Sequence, residues 1–347
     1  MGNNIIDVSL LNRYVIEHWD SLSIGLLNGK AGLAIYYATY AKESKENRRI
    51  YNRLVKSLYE SINTGLPIEI GNGILDIAIC IDYILSHFQG GNSDYILSDI
   101  DSYIFRQFGG YRKVRQSLNS SIDTLFYISY HLFYGIKNAT KREIFERESM
   151  LYVEHIYSHI IKDGSLLLDP VSFSLTNRLV LFLESLVSLY RQGIYSQRIF
   201  HICNELSFLV IGRVPISHSN RLQMLYIIKK ICNTIPDLNK AWYEFTKILE
   251  DNTPFMEIIN KELRSNQILF SDGLSGIFLF AMLCNWECAK EVFELDLSLF
   301  RRKVTEANFE RDNRSLLPFL TIGLNGYWGI RMLYDYLSNN PEKSGHV

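Results

Sequence analysis

With 347 residues, of which 47% are hydrophobic and 13% aromatic, the chain can bury a large core, and a formal net charge of −1 argues against nucleic acid or an anionic membrane as a general partner. Five cysteines (Cys80, Cys203, Cys232, Cys284 and Cys288), an odd count without a CxxC pair, are the usage of free thiols in a reducing compartment, so a cytoplasmic location is expected. Neither the N-terminal Met-Gly-Asn-Asn-Ile-Ile-Asp nor any later run has the apolar length of a signal core or of a bilayer span, which takes roughly 18 residues, so no membrane insertion is expected.

A small-residue turn followed by an apolar helix recurs along the chain. The first copy reads Gly25-Leu-Leu-Asn-Gly29-Lys-Ala-Gly32-Leu-Ala-Ile-Tyr-Tyr, and Gly29 and Gly32 are expected where a helix start approaches another backbone closely. A charged segment, Lys42 to Arg49, precedes an outer-helix candidate from Tyr51 to Ile62, with Leu54, Val55, Leu58 and Ile62 at helical spacing. The second copy is Ile70-Gly71-Asn-Gly73-Ile-Leu-Asp-Ile-Ala-Ile. The third, Ser117 to Tyr130, and the fourth, Phe173 to Leu186, keep the small-then-apolar design without glycine. The fifth is Ser217 to Ile228, the sixth is Phe270-Ser-Asp-Gly273-Leu-Ser-Gly276-Ile-Phe-Leu-Phe, and the last is Gly323-Leu-Asn-Gly326-Tyr-Trp-Gly329-Ile-Arg-Met-Leu-Tyr.

Seven copies at intervals of about 45 to 57 residues leave room for two helices each. Further outer-helix candidates lie at Glu143 to Ile161, Ser196 to Val210 and Asn239 to Leu249, with Pro67, Pro170, Pro215, Pro236 and Pro341 punctuating the array. The expectation is an all-α fold of helical hairpins, one domain over 1–347, whose closure into a ring would bury the glycine-rich helix starts at one end.

Inner helices introduced by Gly-Leu-x-x-Gly-x-x-Gly-Ile turns resemble the lanthionine synthetase C-like family, best at Gly25 to Ile35, Ile70 to Ile77, Asp272 to Ile277 and Ile322 to Ile330. The resemblance implies an α/α toroid of about seven inner and seven outer helices. It also implies peptide modification, since active members add a peptide cysteine to a dehydrated serine or threonine at a zinc ion that deprotonates the thiol. Their ligands are a cysteine at the fifth turn and a Cys-His pair at the sixth, with a histidine at the fourth turn and an aspartate near the third as acid or base groups.

This sequence departs at each of those positions. Ser271 and Asp272 stand where the family has Cys-His, His218 aligns with the other cysteine, Asn177 stands for the histidine, and Lys113, Val114 and Arg115 occupy the aspartate region. His218 and Asp272 are acceptable zinc ligands by type, but serine is a poor third one, so no zinc is expected. Ser271 or Asp272 is expected to cap a helix, and so is Asn177, whose amide cannot act as an acid or base at neutral pH.

Other candidates read more simply as structure. Cys284 and Cys288, four residues apart, are expected to be buried or partly buried structural thiols, and His155 and His159 an outer-helix surface pair. Asp76 and Asp82, six apart on one helix, point to different faces and make no carboxylate dyad, which counts against a carbohydrate-active barrel. Tyr327 and Trp328 sit inside the last turn, where they could reshape the mouth of a ring and, with Ser271 and Asp272, contact a substrate.

The sequence therefore points to a zinc-free, catalytically degenerate relative of that family, acting as a peptide-binding or assembly partner of a modification enzyme. The alternative is an active cyclase or lyase with a rearranged site around His218, Ser271 and Asp272.

Overall fold

The structure is a computed structural model that describes residues 8–62, 65–68, 70–89, 94–108, 129–130, 142–164, 167, 171–288, 291–307 and 322–340. Lys113, Val114 and Arg115, Pro170 and Pro341, and the third copy apart from Ser129 and Tyr130, lie outside the described residues. Among the described residues all regular structure is helical, so the fold is all-α. The main elements are α1 (Val8–Glu17), α2 (Lys30–Tyr40), α3 (Lys45–Ser61), α4 (Ile74–Ile84), α5 (Asp94–Phe108), α6 (Arg142–Asp163), α7 (Arg178–Arg191), α8 (Ser196–Val210), α9 (His218–Thr234), α10 (Lys240–Asp251), α11 (Leu274–Trp286), α12 (Leu297–Glu306) and α13 (Tyr327–Asn339). Among the described residues no helix is long and apolar enough to cross a membrane.

The described copies of the repeat become α2, α4, α7, α9, α11 and α13, and their burial differs from that of the intervening helices. In α2 every residue from Ala31 to Ala38 is buried, and α11 buries residues on all sides from Leu274 to Cys284. A helix that is apolar all round must be enclosed on all sides. By contrast α3 buries one stripe, Asn47, Ile50, Leu54 and Leu58, and α10 buries only Trp242, Phe245 and Leu249. One-sided stripes mark the covering layer.

Contacts group the chain into two compact units. The first comprises Met1–Gln107, Ile268–Phe270 and Leu297–Asn339. Within it α2 packs against α3, α4 and α13, and α12 packs against α13. Helix α3 begins earlier than the expected Tyr51, because the Ser44 hydroxyl accepts the Asn47 amide at 3.0 Å and draws the charged segment into the first turns. Val55, expected on its apolar face, is 38% exposed, since only the 47-50-54-58 row reaches the layer beneath.

The seam between α2 and α13 joins the first and last copies of the repeat. The Arg331 side chain of α13 is only 7% exposed. Its guanidinium donates to the Tyr36 hydroxyl at 2.6 Å and to Glu43 at 3.1 Å, faces Asp335 at 3.3 Å, and lies 4.1 Å from the centre of the Tyr40 ring. Tyr40 completes the set by donating to Asp335 at 2.7 Å. The buried guanidinium is held by two hydrogen-bonding partners, a second carboxylate close to Nε and an aromatic ring over one face.

The second unit comprises Phe108–Gln267, Ser271–Asp296 and Asn340–Val347. Helix α9 lies between α7 and α11, with α10 covering α9 and α8 beside α7. The Asn239 side chain caps α10, and Trp242, fully buried, donates its indole N–H to the Cys203 carbonyl of α8 at 3.3 Å. Phe280 of α11 meets Phe173, in the segment before α7, and Tyr226 of α9 edge-on, at 6.0 and 5.7 Å.

Replacing Arg331 by Met would keep most of the packed stem while leaving the Tyr36 hydroxyl without its donor and removing the cation over Tyr40. Glu43 and Asp335 are exposed enough to rehydrate, so the expected loss is about 1–3 kcal/mol of unfolding free energy in urea titration. A double-mutant cycle with Tyr36→Phe should show coupling, and additive effects would deny the seam its role.

Candidate functional site

The helix starts repeat one backbone device. The first amide of α2, Lys30 N–H, donates to the carbonyl of Ser23 at 2.9 Å; Ile74 N–H of α4 donates to Pro67 at 3.0 Å; Leu274 N–H of α11 donates to Gln267 at 2.9 Å. In all three the acceptor lies seven residues back. The N-cap is in each case a glycine with extended backbone, at φ, ψ of −169°, −161° for Gly29, −128°, −176° for Gly73 and −141°, −163° for Gly273. A helix start leaves four amides without intrahelical acceptors, and the folded-back turn supplies one of those acceptors from the backbone itself.

Where glycine is absent, side chains cap instead. Asn177 Oδ1 accepts the Val180 amide at 3.2 Å at the start of α7, and Ser217 Oγ accepts the Asn220 amide at 3.3 Å at the start of α9. Asn177 is therefore a cap, as its chemistry suggested. Ser271 and Asp272 are not, because Gly273 holds the N-cap position of α11 and the Ser271 hydroxyl donates to Asp272 at 3.0 Å.

Neighbouring turns are stitched to one another. In the first unit a β-carbon on Gly25 would sit 2.1 Å from the Gly71 carbonyl oxygen, and one on Gly32 would sit 2.0 Å from that of Leu26, so both positions require glycine for close approach. Gly29 and Gly32 do lie at such approaches. The buried Asp76 carboxylate accepts the amides of Gly71 and Gly73 from its own turn at 2.9 and 3.1 Å, and that of Leu26 from the preceding turn at 2.7 Å. On the other side Asn325 N–H donates to Leu27 O at 2.8 Å. In the second unit Leu175 N–H donates to Ser271 O at 2.9 Å, and Gln223 of α9 donates to Ser174 O at 2.8 Å.

His218, Ser271 and Asp272 have structural partners of their own. His218 opens α9, and its amide and that of Ser219 donate to the two oxygens of Glu262, at 2.5 and 3.0 Å. A carboxylate at a helix N-terminus is doubly favoured, by hydrogen bonding and by the helix dipole. The imidazole Nδ1 lies 2.9 Å from Arg221 Nη1, which fixes Nδ1 as an acceptor, and Nε2 faces Glu257 at 3.7 Å. Arg221 also donates to the carbonyls of Pro215, Ile216 and Asn252, at 2.6, 2.8 and 2.7 Å. None of the described polar partners of His218 is Ser271 or Asp272. Among the described residues no group of three or more His, Cys, Asp and Glu side chains could hold a metal ion. With Ser271 and Asp272 bonded to each other and His218 held by arginine, the donor set does not fit zinc.

Tyr327 and Trp328 are 3% and 2% exposed, and Trp328 packs 6.4 Å from the Tyr14 ring. They are core residues; as substrate contacts they are corrected, because helix α13 turns both rings inward. Asp76 is fully buried and Asp82 half-buried, on one helix without convergence. His155 and His159 stand side by side on α6, ring centres 5.2 Å apart, with His159 facing Asp163 at 3.9 Å.

A cleft the sequence reading missed lies at the edge of the second unit. It encloses about 750 Å³ between the Glu250–Met256 and Glu291–Asp296 segments. Phe255 and Phe293, 5.6 Å apart, line it together with Glu250, Glu291, Glu294 and Asp296. Glu250 is bonded to Lys229 at 2.9 Å, whereas no described cation pairs with Glu291 or Glu294. The alternation Glu291-Val-Phe-Glu-Leu-Asp296 was the available signal. The sequence held none for Glu262, whose role depends on a contact 44 residues away.

Burial holds the Asp76 carboxyl above its ordinary 3.8, against the lowering effect of the backbone amides of Gly73, Leu26, Gly71 and Asp76 itself. The folded chain thus binds this proton more tightly than the unfolded one; the resulting stabilisation is fully present below 3.8 and fades as pH rises through the folded value. A carboxyl carbon titration of Asp76 by NMR should therefore show a midpoint above 3.8. Asp76→Asn would turn an amide N–H₂ towards backbone donors and should cost roughly 1–3 kcal/mol in chemical denaturation; an unchanged midpoint would mean that the glycine contacts alone hold the junction.

No family model matches this chain, and no curated protein matches it.

Proposed function

We propose that this chain is a lanthionine synthetase C-like α/α toroid that works without zinc chemistry, in the cytoplasm, as a peptide-binding or assembly partner in lanthipeptide-type modification. The observation that carries this reading is the seven-residue amide cap repeated at three glycine turns, while the residues aligned with catalytic positions, Asn177 and His218, are bound into capping networks. The side-by-side packing of the first and last inner helices supports ring closure.

The peptide-binding half of the proposal rests on the cleft. Its volume admits several side chains, its aromatic floor offers apolar area, and Glu291 and Glu294 carry charge without a described counter-ion. Such a surface favours a segment that combines basic and apolar residues.

Fluorescence anisotropy with labelled Arg/Leu and Glu/Leu decapeptides tests this on the full chain. The basic peptide should bind, more weakly at high salt, and Glu291→Lys with Glu294→Lys should reduce its affinity roughly tenfold or more. Equal affinity for both peptides, or none for either, would remove the cleft from the proposal. Thioether closure in a dehydroalanine–cysteine peptide on addition of zinc would instead establish the cyclase reading.

A further inference from the structure

Charge is unevenly spread along this chain, whose net charge is only −1. Helix α3 carries five cations, Lys45, Arg48, Arg49, Arg53 and Lys56, against two carboxylates, Glu46 and Glu60. All five cations are exposed, because the row Asn47, Ile50, Leu54 and Leu58 faces the core and the opposite side faces outward. Lys45, Arg49 and Arg53 follow one another at intervals of four residues, and like charges at that spacing weaken a helix. The two acids do little to offset them. Glu46 accepts from Asn12 Nδ2 at 3.2 Å, and Glu60 reaches only Lys56, at 3.8 Å. Among the described residues no carboxylate pairs with Lys45, Arg48, Arg49 or Arg53.

Part of this face is held in position. The Arg53 guanidinium carbon lies 3.9 Å from the centre of the buried Trp19 ring. Stacking of this kind fixes the plane of the guanidinium fork, and among the described residues no acceptor occupies its N–H groups. Lys30, at the start of α2, sits 5.2 Å from the same ring and donates to the hydroxyl of Ser57, one turn beyond Arg53 on α3, at 3.2 Å. The basic row of α3 thus continues onto the start of α2.

Successive residues of a helix turn by about 100°, which puts Val55 and Tyr59 on the far side of the basic row from Arg53 and Ser57. There α3 borders an apolar groove of about 120 Å³, lined by Val55, Leu58 and Tyr59 of α3 and by Cys80, Ile81 and Ile84 of α4. Leu58 and Cys80 are buried, whereas Val55 and Tyr59 stand 38% and 63% exposed at its rim. The groove has room for an apolar side chain.

We propose that the outer face of α3 is a docking surface for an acidic amphipathic helix of a partner protein, which lies along α3 with carboxylates on the Lys45, Arg49, Arg53 row and an apolar side chain in the groove. Charge complementarity selects the acidic face of such a partner, and the groove selects its apolar one. Neither a membrane nor a nucleic acid matches both halves. The apolar stripe that a membrane-bound helix would insert is packed against the core in α3, and a phosphodiester backbone has nothing to place in the groove. This surface belongs to the first unit and does not rest on the cleft reading.

The experiment is fluorescence anisotropy on the full chain with a labelled Glu/Leu peptide of about 18 residues, patterned as an amphipathic helix; decapeptides are too short to hold a helix and do not report on this face. The peptide should bind, more weakly at high salt, and Arg49→Glu with Arg53→Glu should weaken it roughly tenfold or more. Tyr59→Glu, at the exposed rim, should weaken it severalfold, with circular dichroism melts showing that both variants are folded. No binding by the wild-type chain, or binding unmoved by the double charge reversal, would overturn the proposal. Equal affinity for a Glu/Ala helix without leucine would deny the groove its part. Tighter binding of single-stranded DNA, or of phosphatidylserine/phosphatidylcholine vesicles, would give the face to phosphate instead of to a protein, and a concentration-dependent dimer broken by the same charge reversal would give it to a second copy of this chain.

Discussion

The structure depends on satisfying helix-start amides in places where helices crowd too closely for water. Among the described residues the starts of the apolar helices lie beside one another within each unit, so donors that a surface helix would leave to solvent must find acceptors within the protein. Asp76 shows the solution at its most concentrated: one buried carboxylate serves amides from two consecutive turns. Gly25 and Gly71 meet at a distance no side chain would permit, and this proximity puts Leu26 N–H within reach of that carboxylate. Helix spacing, glycine placement and amide satisfaction are therefore one constraint.

The same constraint explains how much of the fold was legible. The turn-plus-helix rhythm records both the close approach, as glycine, and the enclosure, as helices apolar on every side, and these are local properties. Helix α11 could be read from Leu274 onward, and α8 matched its expected span of Ser196 to Val210. The start of α3 was harder because Ser44 caps a charged turn, and capping outranked the apolar periodicity by which the helix had been bounded. In the eroded copies Asn177 and Ser217 took over the cap by side chain, so the glycine signal vanished while the helix start remained.

The candidate site was less legible, because its chemistry lies in long-range contacts. Alignment could say that His218 stood where a family ligand stands, but not that Arg221 and Glu262 would engage it. Tyr327 and Trp328 looked exposed by their place in a turn, yet the register of α13 buries both. A spacing defines which residues share an element; the electrostatics of a site comes from what the neighbouring elements bring.

The packing of α2 against α13 also sets an order of events during synthesis. Tyr40 and Asp335 are 295 residues apart, and loop closure over such a span must precede any gain from the contact. The second unit draws mainly on one stretch, from Phe108 to Asp296, and can consolidate as it leaves the ribosome. The first unit cannot: α2, made long before α13, keeps an apolar face open until α13 emerges. The unit begun before the other is completed after it, and over that interval α2 has an apolar face without its partner.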